Sequence, residues 1–110
     1  MSEINELIKK IRQFNKEREW EQFHNPKDLA IALNIETSEL LEIFLWKRDA
    51  DVDVIKVKEE LADIFMFALN LADKFNLDVT EIVENKIDLN AEKYPIDKAK
   101  GTSKKYTDLL

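Results

Sequence analysis

One glycine and two prolines stand in 110 residues, and that scarcity constrains the fold more than any other feature of the sequence. Tight turns between strands draw on Gly and Pro, whereas the abundant Leu, Ile, Glu, Lys and Ala favour helix. The chain reads as all-α. A first helix is expected from about Ser2 to Glu19, with Ile4, Leu7, Ile8, Ile11 and Phe14 recurring at steps of three and four. Asn25 followed by Pro26 pairs a cap residue with a preferred first helical residue, opening a second helix that runs to about Trp46. The polar stretch from Lys47 to Asp53 reads as a turn. A third helix follows from about Val54 to Phe75, and Asp78 with Glu81 three residues later marks the start of a fourth, ending near Tyr94-Pro95. Four helices on short connections predict a four-helix bundle, with an extended C-terminal tail from Ile96 onward.

The length accommodates one domain, residues 1–110, whose folding hides roughly two thirds of the extended chain's surface. Acidic residues outnumber basic ones by 23 to 17, giving a net charge of −6, which argues against a nucleic-acid polymer as partner. Cysteine is absent, so a disulfide scaffold, a thiolate zinc site and a cysteine nucleophile are all excluded. The opening MSEINELIKKI has no apolar run of signal-peptide length, and no segment approaches the roughly 20 apolar residues that span a bilayer. A cytoplasmic protein with no membrane partner is the expectation.

Carboxylates occur where apolar residues belong. On the second helix the stripe Leu29, Leu33, Leu40, Phe44 is interrupted by Glu36, and Glu39 neighbours it one turn on. The third helix carries the stripe Val57, Leu61, Ile64, Ala68, Leu71, Phe75, and Phe65, Met66, Phe67 and Leu69 make most of its other face apolar too. From Leu61 to Ala72 it should be buried nearly all round. Asp63 and Asn70 are the polar residues in that run, with Glu60 one turn before. An ionised carboxylate in such surroundings must be paired or must hold a metal. An acid pair at i, i+3 is usually a solvated face, but two such pairs on helices packed antiparallel can converge. Glu36, Glu39, Glu60 and Asp63 would form an all-oxygen site suited to Mg²⁺, with Mn²⁺ as the alternative.

On the fourth helix, Lys86 and Asn90 continue a stripe begun by Val79, Ile82 and Val83, and it reaches Tyr94. Lys86 could meet a phosphate oxygen, and Asn90 could donate to phosphate or hold a ligating acid; the plainer reading is a lysine snorkelling from the bundle edge. Trp20, Phe23 and His24 precede the second helix and Trp46 closes it. Counted along a helix, Trp46 lies on the side of Glu36 and Glu39, where a flat ring could stack on a nucleobase. His24, beside a helix cap, reads more simply as a capping or surface residue.

Taken together, WEQFHNPKDLAIALNIETSELLEIFLW, EELADIFMFAL, KIDLNAEKYP and KGTSKKYTDL resemble the MazG-like all-α nucleoside triphosphate pyrophosphohydrolases, and most closely their dCTP pyrophosphatase branch. The resemblance includes an ExxE…ExxD signature and covers nearly the whole chain. It implies Mg²⁺-dependent hydrolysis of a nucleoside triphosphate, dCTP or a related or modified dNTP, between the α and β phosphates. Mg²⁺ would be held by Glu36, Glu39, Glu60 and Asp63, with Glu36 or Glu39 activating water. Lys86 and Asn90 match triphosphate contacts, and Trp20 and Trp46 match the lining of the base pocket; His24, Phe67 and Tyr94 join the substrate-binding set. A homo-oligomer, either a dimer or a tetramer built from dimers, is implied as well. Ile11 and Phe67 stand where eukaryotic relatives carry a histidine and a tyrosine, which loosens the expectation of strict cytosine selectivity. Two rival readings stand beside it. A di-iron carboxylate bundle wants Glu-x-x-His on two helices, which a chain with one histidine does not supply; a non-catalytic helical dimerisation module would use Asp63 and Asn70 as pairing residues.

Overall fold

The computed structural model describes residues 2–109. It is all-α, with no strand among the described residues. Helix α1 spans Glu3–Glu17, α2 Pro26–Phe44, α3 Val54–Lys74 and α4 Val79–Lys93; a single helical turn, α5, covers Ile96–Ala99. Short 3₁₀ turns sit at Glu21–Phe23, Asp49–Asp51 and Tyr106–Asp108. The chain forms two compact units, one ending at Leu77 and one beginning at Asp78.

The helix starts follow from their caps. Ser2 Oγ accepts from Asn5 N–H at 3.1 Å, Asn25 Oδ1 from Asp28 N–H at 2.9 Å, and Asp78 Oδ1 from Glu81 N–H at 3.1 Å. Each satisfies one of the amide donors that a helix leaves unpaired at its start. The ends of α1 and α3 are closed without glycine. Glu19 and Asn76 take left-handed backbone, φ 54° each. Trp20 N–H then reaches back to Asn15 C=O at 2.9 Å, and Leu77 N–H to Ala72 C=O at 3.0 Å, the six-residue closure that pairs the last helical carbonyls. The tail is less extended than expected, because α5 and the 3₁₀ turn at Tyr106 give it local helical structure.

In the first unit α2 packs along α3, and α1 against α3. The late residues Glu42, Ile43 and Lys47 face the early Lys56, Glu59 and Glu60 across one groove, so the α2–α3 hairpin is antiparallel. Ile8, Ile11, Leu29 and Ala72 are buried. Arg12 on α1 grips Asp73 on α3 with two charge-assisted hydrogen bonds, Nε to Oδ2 at 2.7 Å and Nη2 to Oδ1. The expectation that α3 is buried nearly all round is overturned. Phe65 is 62% exposed, and Leu61 and Met66 are open to solvent too. Periodicity marks a face as apolar, but two neighbouring helices cover only part of a third, and Phe65 and Met66 instead line an open apolar groove with Leu7 and Phe14.

The Arg12 guanidinium holds the Asp73 carboxyl below its ordinary value of 3.8, while Arg12 itself is raised by the same pairing. A depressed carboxylate contributes stability that is present above its unfolded pKa and lost as pH falls through its folded one. Asp73→Asn should therefore cost under about 1 kcal/mol at neutral pH, as partly exposed pairs do, and should flatten the loss of stability below about pH 4 in urea titrations.

Candidate metal centre and adjoining cavity

Residue 36 lies midway along α2, on the side that packs against α3, while positions 60 and 63 lie one turn apart on the facing side of α3. The hairpin thereby brings Glu36, Glu60 and Asp63 together, each offering a carboxylate oxygen within 4.8 Å of the others. Glu36 and Glu60 are half-buried and Asp63 is exposed. One oxygen in each of the first two, Glu36 Oε2 and Glu60 Oε2, is buried and makes no hydrogen bond among the described residues. A buried acceptor without a partner costs on the order of 1–3 kcal/mol, and more when charged. Burial, the approach of Glu60 and Glu39, and the negative charge of Asp63 push Glu36 up to about 7. A divalent cation removes all of these penalties together, because it supplies the missing partner and the opposing charge. An all-oxygen donor set fits a hard ion. Glu39 stands outside this triplet, exposed on the surface of α2. It lines a groove of ≈ 470 Å³ with Glu42, Ile43, Lys47, Lys56, Glu59 and Glu60.

On its other side Asp63 borders a second cavity. This one, ≈ 180 Å³, is lined by Ile11, Phe14, Asn15, Trp20, His24, Asp63, Met66, Phe67 and Asn70. The closing turn of α1 delivers Trp20 to its wall, where the indole meets Phe14 and His24 edge-on with ring centres 5.6 and 6.3 Å away. Asn70 Nδ2 lies 3.1 Å from His24 Nδ1. Burial and the nearby Lys74 lower the His24 pKa, so the ring is neutral at physiological pH. The acid triplet thus separates an aromatic cavity from an open groove carrying two lysines.

A model of the MazG-like family matches residues 31–109 of this chain. The chain belongs to the MazG-like family. It is 38% identical over 105 residues to dCTP pyrophosphatase 1 of Rattus norvegicus and 37% identical over 105 residues to that of Homo sapiens. Each alignment covers 88% of this chain but 62% of the relative, so the chain spans less than two thirds of their length. A crystal structure of a pyrophosphatase from Archaeoglobus fulgidus DSM 4304 superposes with a TM-score of 0.80 at 36% identity, covering 86% of this chain and 94% of that one.

Within this MazG-like chain the structure gathers Glu36, Glu60 and Asp63, and it places Trp20, His24 and Phe67 in the cavity beside Asp63. Trp46 is elsewhere. Helix α2 stops at Phe44, so the helical count that put Trp46 on the side of Glu36 and Glu39 does not extend to it. It occupies the third position of a type II turn, with Leu45 at φ −60° and ψ 125° and Trp46 at φ 62°, closed by Lys47 N–H to Phe44 C=O at 3.1 Å. The indole is 94% exposed. In the second unit Lys86 and Asn90 are exposed on α4. Tyr94 packs edge-on against Tyr106 with ring centres 6.1 Å apart, and Lys93 caps the Tyr106 ring at 5.0 Å. The sequence reading passed over Asn15, although it follows Ile4, Ile8 and Ile11 on the stripe of α1 and so carries the same signal that exposed Asp63.

Because the folded Glu36 value of about 7 lies above its ordinary 4.5, the metal-free fold binds the extra proton between those limits. Its contribution to stability is complete below the lower limit and lost as pH rises through the upper one. Thermal melts in EDTA should therefore show a midpoint that falls from about pH 5 to pH 8, while Glu36→Gln flattens the profile and abolishes the upward shift produced by Mn²⁺ or Mg²⁺. At the type II turn, where glycine is favoured, Trp46→Gly should raise stability by about 1 kcal/mol, measured by chemical denaturation.

Proposed function

We propose that this chain hydrolyses a nucleoside triphosphate between the α and β phosphates, releasing the nucleoside monophosphate and pyrophosphate, with dCTP or a related or modified dNTP as substrate. The reading takes the whole chain, residues 1–110, as one nucleotide-hydrolysing domain that clears unwanted nucleotides from the cytoplasmic pool. The observation that carries it is the pair of buried, unpartnered carboxylate oxygens on Glu36 and Glu60, in a triplet bordered by an aromatic cavity. The names of the relatives, dCTP pyrophosphatase 1 and a pyrophosphatase, support the reaction class.

In this reading Glu36, Glu60 and Asp63 hold Mg²⁺, with Mn²⁺ as the substitute, and Glu39 completes the set from the edge of the groove. The ion would polarise phosphoryl oxygens, make bound water more acidic and neutralise the leaving pyrophosphate. The protein's own groups do the rest. Glu36 or Glu39 orients the attacking water and takes its proton, in line with the departing oxygen. Trp20, His24 and Phe67 wall the base and exclude solvent from it. Lys86 and Asn90 are assigned to the triphosphate, with Tyr94 and Trp46 as further substrate contacts. Lys47 and Lys56, across the triplet from the aromatic cavity, are suited to the outer phosphates.

We further propose that the protein acts as a homo-oligomer, a dimer or a tetramer built from dimers. The apolar groove of ≈ 420 Å³ between α1 and α3, with Phe65 62% and Leu7 49% exposed, supports association, since monomers seldom leave such surface open. A purely structural helical module is less well supported, because it gives no reason to bury two carboxylate oxygens unpaired.

The test is pyrophosphate release from a panel of canonical and modified dNTPs and NTPs with Mg²⁺. Wild-type protein should turn over dCTP, and Glu60→Gln or Asp63→Asn should lose more than the ~10–100-fold that removing an outer partner of a metal site costs, with helical circular dichroism unchanged. Lys86→Ala and Asn90→Ala should raise KM. No pyrophosphate from any nucleotide, and no nucleotide binding by calorimetry, would leave the interaction-module reading in its place.

A further inference from the structure

Two amides are buried in the wall of the aromatic cavity. Asn15 is 6% and Asn70 7% exposed, and both line the space that also opens on Trp20, His24 and Asp63. An amide offers two donor hydrogens and an acceptor oxygen. Asn70 spends one donor on His24 Nδ1, at 3.1 Å. Since an NH₂ group can only donate, Nδ1 is the accepting nitrogen and the ring proton is on Nε2. That bond fixes which way the Asn70 amide points, leaving its Oδ1 as an acceptor with no partner among the described residues. The Asn15 side chain makes no hydrogen bond among the described residues at all.

The polar atoms shut away without a partner among the described residues are on Glu36 and Glu60, not on these amides, so the unspent groups of Asn15 and Asn70 open on the cavity, where water or a ligand can meet them. Ile11, Phe14, Met66 and Phe67 form the apolar part of this wall, against which a leucine would pack without an amide to satisfy. Two unspent amides in so small and greasy a space point to a ligand that supplies the missing partners. The space of ≈ 180 Å³ is below the roughly 300 Å³ at which pockets begin to hold a whole small molecule. It suits one flat ring, with the remainder of the ligand lying outward past Asp63.

We propose that Asn15 and Asn70, the latter oriented by His24, are specificity-determining residues that read the polar edge of the nucleobase and favour a base carrying an exocyclic amino group. The Asn70 Oδ1 acceptor matches an amino hydrogen and opposes a carbonyl oxygen. Asn15 can pair in two-point fashion with an amino group and the ring nitrogen beside it, the pattern asparagine uses on such base edges. A site built to satisfy one edge leaves its own groups unpaired against the other, which is how hydrogen-bonding sites discriminate. This inference rests on the nucleotide-hydrolysing reading above.

The test compares kcat/KM for dCTP and dUTP, which differ only along that edge, in wild-type protein, Asn15→Leu and Asn70→Leu. Wild-type protein should prefer dCTP, and each variant should lower the dCTP/dUTP ratio by roughly tenfold. Asn15→Leu should also melt at the same temperature or higher, which a merely structural asparagine would not allow. Hydrolysis with an unchanged ratio in both variants, or a wild-type preference for dUTP, overturns this inference while leaving the proposed function intact. No pyrophosphate from any nucleotide overturns the proposed function, and this inference with it.

Discussion

The arrangement of the first unit turns on carboxylate oxygens held between α2 and α3 with nothing to pair them. Glu36 and Glu60 each keep one oxygen buried and without a donor among the described residues, and the raised Glu36 pKa is the electrostatic record of that placement. Helix-forming sequence and good caps would build the same hairpin with leucine at both positions, and the hairpin would gain stability. The acids therefore make sense as a cost carried for binding a cation, with the antiparallel pairing of α2 and α3 as the device that sets their spacing.

Much of this was legible in the residues. Asn25-Pro26 and Asp78 announced helix starts because a capping side chain is a local, short-range interaction. Glu36, Glu60 and Asp63 stood out because each replaces or flanks a hydrophobic residue on a stripe whose direction is fixed by helical geometry. Asn15 carried the same signal one helix earlier. It was overlooked because a single amide on an apolar stripe is an ordinary event until its neighbours in space are known, and Trp20, His24 and Asn70 are distant in sequence.

Other features were beyond local reading. The end of α2 at Phe44 has no glycine to signal it, and the turn there places a tryptophan at a backbone angle that glycine would occupy more easily. Strain of that kind is kept where a side chain is needed in one place. Exposure of Phe65 was equally hidden, since the pattern of apolar residues reports which faces avoid water and says nothing of what covers them.

The two indoles of this chain differ in exposure, Trp20 at 43% and Trp46 at 94%. Trp20 is stacked edge-on between Phe14 and a neutral histidine, while Trp46 stands 94% in solvent. Their fluorescence consequently differs without labelling: a dissolved quencher reaches the second more readily than the first, and light emitted from Trp20, which lines the cavity, responds to whatever enters the space beside it. The molecule comes with an internal optical reference and an internal optical reporter.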